Sequence, residues 1–117
     1  MNDNIIDLPE FLERVQDDKD LLLELLDIYT EDFKIKRGQL VAAINNKDYE
    51  QIRQIAHSLK GASGNISAKP LRVIFLALEE LGRKNSTDGA AALLANMEGE
   101  YDRLQGRIVL LKKELKG

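Results

Sequence analysis

The segment IRQIAHSLKGASGNI, residues 52–66, decides the fold. At 100° per residue, Ile52, Ile55, Leu59, Ala62 and Ile66 lie about 140° to 220° from His57, the only histidine in the chain. That coherent apolar stripe predicts an amphipathic helix with its back to a core and His57 facing outward. On the same wheel Arg53 falls near −40°, Lys60 near −60°, Gly61 near +40° and Gly64 near −20°, with Glu50 and Gln54 within about 60°. Each glycine inside a helix is less favourable than alanine by about 0.8 to 1 kcal/mol. Two of them nevertheless follow His57 on its own face, one and two turns on. Clearing side chains from that face leaves a notch through which another protein's reactive group can approach the imidazole.

Working outward, the same periodicity predicts four more helices. Asp48 is the expected cap of the helix over 48–66. Upstream, Asp18 or Asp17 can cap a long helix over 18–45 with an inward stripe of Leu22, Leu25, Leu26, Tyr29, Phe33, Leu40 and Ile44, closed by the turn Asn45-Asn46-Lys47. Before it, Pro9 sits comfortably in the first turn of a short helix over 7–16 whose apolar side is Leu8, Phe11, Leu12 and Val15. Downstream, Pro70 opens a helix over 68–84, where Leu71, Ile74, Leu78 and Leu81 keep helical spacing up to Gly82. Thr87 or Ser86 can cap the last helix, over 88–115, in which Leu94, Met97, Tyr101, Leu104, Ile108, Leu111 and Leu115 step by three and four. Short loops between long amphipathic helices require antiparallel neighbours. The expected fold is all-α: an up-down-up-down four-helix bundle, with the short N-terminal helix covering one end.

Composition agrees and narrows the function classes. One hydrophobic set of 44% in 117 residues suits a single domain over 1–117, and the low aromatic content of 5% disfavours a strand-rich architecture. With no cysteine there is no disulfide framework or thiolate metal site, so a cytoplasmic setting is expected. Residues 1–7 lack the pattern of a signal peptide, and no run approaches a membrane span. A net charge of −3 without a basic, aromatic-interleaved patch makes nucleic acid an unexpected partner. No glycine-rich phosphate loop and no metal constellation is evident, so neither cofactor nor metal is expected.

An exposed imidazole beside a cation suits one chemistry in particular. Phosphoryl transfer from an acyl phosphate needs a neutral nitrogen nucleophile and a positive group to balance the equatorial oxygens. Ordinary imidazoles are largely neutral at pH 7. His57 supplies the nucleophile and Lys60 the charge.

The run Ala56-His57-Ser58-Leu59-Lys60-Gly61 resembles the signature of the histidine-containing phosphotransfer (HPt) family: alanine, histidine, any residue, leucine, lysine, glycine. The likeness extends in helix order and length from about Asp7 to Leu115. It implies that His57 accepts phosphate on Nε2 from the aspartyl phosphate of a receiver domain and returns it to the aspartate of another, with Lys60 steadying the phosphoryl oxygens. It further implies that Glu79, on the next helix, holds the Nδ1 proton. Receiver docking is expected around Arg53, Gln54, Gly61 and Gly64, with apolar help from Ile5, Ile6, Leu8 or Phe11, although core burial is the stronger expectation for Phe11. The family brings no nucleotide site or metal of its own, and a monomer is expected. Ser67 departs from the family, standing where glycine is usual, and is expected to reshape a helix end without touching the chemistry. Ser63 with Gly64 also varies, at positions where small residues are expected.

Other classes fit less well. A dimerising phosphoacceptor domain of a histidine kinase usually carries an acidic residue after its histidine and a proline soon after, whereas Ser58 follows here and no proline precedes Pro70. A non-catalytic adaptor bundle draws support only from the three-four spacing of residues 94–115. A hydrolase with His57 as general base lacks a cleft and a nucleophile other than Ser58 or Ser63. The sequence is equally compatible with a free-standing carrier and with one end of a hybrid kinase, and it does not identify the receivers.

Overall fold

The structure, a computed structural model, describes residues 5–116. Part of the N-terminal stretch read for a signal peptide, residues 1–4, lies outside them. Among the described residues five helices run in order: α1 Leu8–Arg14, α2 Lys19–Asn45, α3 Tyr49–Asn65, α4 Lys69–Arg83 and α5 Ala90–Lys116. Two begin with the expected caps, the carboxylates of Asp18 and Asp48 accepting hydrogen bonds from the backbone N–H groups of Leu21 and Gln51, and Asp7, which was not expected to cap, accepts in the same way from Glu10 at the start of α1. The start of α4 has Ala68 in the capping position and no side-chain cap, leaving Pro70 to set the first turn. The start of α5 differs from expectation. The Ser86 hydroxyl accepts from the Asp88 N–H in a turn, and the helix begins only at Ala90, after Gly89 at φ +80°.

All four interhelical connections leave their helix through a left-handed residue: Gln16 with Asp17, Lys47, Ser67 and Asn85, at φ between +53° and +60°. Each is sealed by a backbone bond reaching five residues back, from Asp17 to Leu12, Asp48 to Ala43, Ala68 to Ser63 and Ser86 to Leu81. These tight exits fold the long helices into the antiparallel bundle. The helices α2, α3, α4 and α5 pack in a closed ring, and the molecule measures 46 × 23 × 20 Å.

The core joins the predicted stripes. Leu22, Leu26, Phe33, Leu40, Ile52, Leu59, Leu71, Leu78, Met97, Leu104 and Leu111 are buried, as are Leu23 and Phe75, which the stripes did not include. Leu25, Ile44, Ala62, Leu81, Leu94, Tyr101 and Leu115 are only partly buried, at its edge. Phe33 stacks on Tyr101 with centroids 4.0 Å apart and meets Phe75 edge-on at 6.2 Å. The buried Tyr29 hydroxyl and Ser63 Oγ satisfy each other at 2.7 Å. The short helix closes one end of the bundle. Asp7 N–H donates to the Ser67 carbonyl at 2.9 Å, Ser67 Oγ donates to Glu10 at 2.8 Å, and Lys69 bridges Asp7 and Glu10. Ile6 and Phe11 are fully buried there and so leave the docking face, while Ile5 and Leu8 are partly buried against the core.

The closest helix pair is α3 with α4, and Gly82 makes it possible. A Cβ on Gly82 would lie 2.6 Å from the Arg53 nitrogen and 2.7 Å from the Tyr49 carbonyl oxygen. Gly82, the penultimate residue of α4, therefore lets two backbones touch. That contact holds Glu79, one turn before it, against the face that carries His57.

Candidate functional site

His57 projects from the outer side of α3 with 66% of its side chain exposed, yet one nitrogen is anchored. Its Nδ1 lies 2.7 Å from Oε2 of Glu79, which is only 2% exposed. The other Glu79 oxygen, Oε1, accepts from Lys60 Nζ at 2.6 Å. Arg83, one turn further along α4, places Nη2 3.4 Å from Oε2 and ties Nη1 to Glu80 at 2.5 Å. Burial pushes the Glu79 carboxyl up, but the hydrogen bonds from Lys60 and His57, aided by their charges, outweigh it and hold it below its ordinary value of 4.5. An ionised carboxylate can only accept hydrogen bonds, so the neutral ring must carry its proton on Nδ1. The lone pair is then on Nε2, at the exposed edge of the ring.

The remaining predicted residues surround this centre. Arg53 and Gln54 both donate to Glu50, the latter at 2.8 Å, forming a polar cluster one turn before His57. A Cβ on Gly61 would meet nothing within 4 Å, so the space beside the imidazole is open. Gly64 is different: the Arg72 side chain lies over it, with Cδ 3.5 Å from where a Cβ would stand. The notch therefore opens at Gly61 and is roofed two turns from the histidine. Ile5 and Leu8 are not in this arrangement but at the α1 end of the bundle.

Sequence reasoning missed three features. Arg83 was legible as an i+4 partner of Glu79. Lys36 reaches across from α2 to donate to Ser58, beside His57, at 2.7 Å while paired to Asp32 at 3.0 Å, and no periodicity signals such a bridge. Between α2 and α3 runs a shallow groove of about 240 Å³ lined by Leu25, Ile28, Tyr29, Asp32, Ala62 and Asn65. Among the described residues no group of three or more potential ligands is placed to hold a metal, and no helix is long and apolar enough to cross a membrane.

A helical bundle that exposes one histidine, oriented from behind by a buried carboxylate and flanked by a lysine, has the architecture of a histidine-containing phosphotransfer domain. The Hpt domain model matches residues 8–107, and the chain belongs to that family. Histidine-containing phosphotransfer protein 2 of Arabidopsis thaliana is 24% identical over 102 residues, which span 83% of this chain and 65% of that protein. The crystal structure of histidine-containing phosphotransfer protein B from Pseudomonas aeruginosa PAO1 superimposes with a TM-score of 0.81 at 30% identity, covering 94% of this chain and 93% of that one.

Proposed function

We propose that His57 carries a phosphoryl group between two receiver domains. The Nε2 lone pair attacks the phosphorus of a receiver's aspartyl phosphate, the P–O bond to the aspartyl carboxylate breaks, and that carboxylate leaves with the electron pair. The ring then bears phosphate on Nε2 and a proton on Nδ1, a positive imidazolium whose charge Glu79 offsets. In the return step a second receiver's carboxylate attacks phosphorus, and the neutral imidazole leaves with its Nδ1 proton still bonded to Glu79. Lys60 uses one of its three N–H donors on Glu79, which leaves two for phosphoryl oxygens. Little covalent chemistry falls to this chain: it positions a nucleophile and balances charge.

The observation that carries this reading is the 2.7 Å bond from Nδ1 to the buried Glu79 on a ring otherwise open to solvent. Residues 1–117 act as one monomeric, cytoplasmic module without a nucleotide site or metal of its own, and the receiver supplies the rest of the catalytic apparatus. Receivers dock over His57, Gly61, Gly64, Arg53 and Gln54 and extend into the groove between α2 and α3, with Ile5 and Leu8 adding apolar contacts from the α1 end of the bundle. The test is to incubate the protein with receiver domains charged on aspartate and to follow acid-labile, alkali-stable phosphate. The wild type takes up label and His57→Gln takes none. A chain that binds charged receivers without labelling is an adaptor, and that result overturns the proposal.

A further inference from the structure

The surface beside Gly64 carries a cation that the chemistry at His57 does not use. Among the described residues Arg72 has no ion-pair or hydrogen-bond partner, whereas the other six arginines, Arg14, Arg37, Arg53, Arg83, Arg103 and Arg107, each pair with a carboxylate. The position of Arg72 is nonetheless defined. Its stem packs over Gly64, Cδ and Nε lying 3.5 and 3.6 Å from the Cβ position. It borders a depression of about 260 Å³ shared with Glu10, Ser67, Lys69 and Val73. The acidic group there, Glu10, is already satisfied by Ser67, Lys69 and Arg14. Beside Arg72 on the outer surface of α4, Val73 and Leu76 are 62% and 40% exposed.

Gly64 lies two helical turns from His57, a rise of about 10 Å. That is too far for Arg72 to serve the phosphoryl group from its seat on Gly64. It is well inside the footprint of a partner, since a standard interface covers about 800 Å² per side, a disc of roughly 16 Å radius. A rigid guanidinium fork on an apolar border matches a carboxylate in geometry and charge.

Resting on the carrier reading above, we infer that Arg72 is a specificity-determining residue that pairs with an acidic side chain of the docked receiver. Gly64 then serves recognition, by giving the Arg72 stem its bed, while Gly61 serves the approach to the histidine. The contact forms only in the complex, so it raises affinity and on-rate and leaves the transfer step at His57 unchanged.

The experiment measures transfer to His57 from a panel of purified receiver domains charged with acetyl phosphate, for wild type, Arg72→Ala, Arg72→Lys and Arg72→Glu, at two ionic strengths. Phosphoramidate, a small donor that needs no docking, labels His57 in parallel. For receivers that charge the wild type, Arg72→Ala raises KM roughly tenfold with kcat within about twofold, weakens the salt dependence and leaves phosphoramidate labelling unchanged. Arg72→Lys retains part of the effect, and Arg72→Glu is worse than alanine. An unchanged KM and salt dependence overturns the inference, and so does an equal loss with phosphoramidate, which places the effect on the histidine itself. Should the wild type accept phosphate from phosphoramidate but from no receiver, the carrier reading fails and the inference falls with it.

Discussion

Replacing Glu79 with glutamine changes one atom of the site and tests how the histidine is held. The carboxylate has two oxygens, and both are committed: Oε1 to Lys60 at 2.6 Å and Oε2 to His57 Nδ1 at 2.7 Å. Glutamine offers one acceptor and one NH₂ donor. Either Lys60 must swing out to solvent, or His57 must flip to the tautomer that places its lone pair on Nδ1. A hydrogen bond to a charged group contributes about 1.5 to 3 kcal/mol and a neutral one about 0.5 to 1.5. Losing one charged bond and weakening the other costs roughly 3 kcal/mol, and about 1 kcal/mol returns because a buried amide is less costly than a buried carboxylate. The net expectation is a loss of about 2 kcal/mol at pH 7, or roughly 8 °C in Tm for a domain of this size. The pH dependence identifies the source. The folded pKa of Glu79 lies below its ordinary value of 4.5, so its stabilisation is fully present above that value and is lost as pH falls through the lowered one. Urea unfolding followed by circular dichroism, at pH 7 and at steps down to pH 3, should show the gap between wild type and Glu79→Gln closing in acid. Equal stabilities at pH 7, or a gap that persists unchanged to pH 3, would show that the ionised Glu79 does not stabilise the fold through these bonds.

Further outcomes follow from the packing at three positions. Gly61→Ala, with open space around its Cβ, should stabilise the protein by about 1 kcal/mol in thermal unfolding. The longer Gly61→Gln should fold as well yet slow receiver-driven labelling of His57 by roughly tenfold or more, read in a single-turnover assay. Gly82→Ala should cost about 2 to 3 kcal/mol in urea unfolding, because its Cβ would strike the α3 backbone at 2.6 Å, and it should slow transfer as well by pushing Glu79 away from His57. Ser67→Ala should destabilise by about 1 to 2 kcal/mol by removing the bond to Glu10 while keeping φ at +58°, whereas Ser67→Gly should be near neutral, since relief of the left-handed strain offsets the lost bond.

The helices were legible because their signals are local. Asp18 and Asp48 cap within three residues, and the stripe through Ile52, Ile55 and Leu59 has only one way to face a core. The exits were harder to read, since Lys47, Ser67 and Asn85 take left-handed backbone conformations where glycine is the usual signal. Ser67 shows the physical trade: it occupies the conformation that glycine favours and uses its hydroxyl to bind α1 through Glu10. His57 and Lys60 share one helix, so the wheel placed them together. The seat of Glu79 depends on how closely α4 approaches α3, which Gly82 sets through a contact between backbones that no single-helix pattern contains. For the same reason the wheel could not distinguish the open Gly61 from Gly64 beneath Arg72, because the difference comes from another helix.

The most direct test of the account is a relay between two receivers. One receiver carrying labelled aspartyl phosphate charges the protein, the charged protein is purified, and a second receiver is added, with the labelled nitrogen located by phosphorus NMR at each stage. Phosphate should sit on Nε2 of His57 after the first step and leave for the second receiver's aspartate after the next. Label at any other residue or on Nδ1, or a charged His57 that loses phosphate only to water, would contradict the relay through His57.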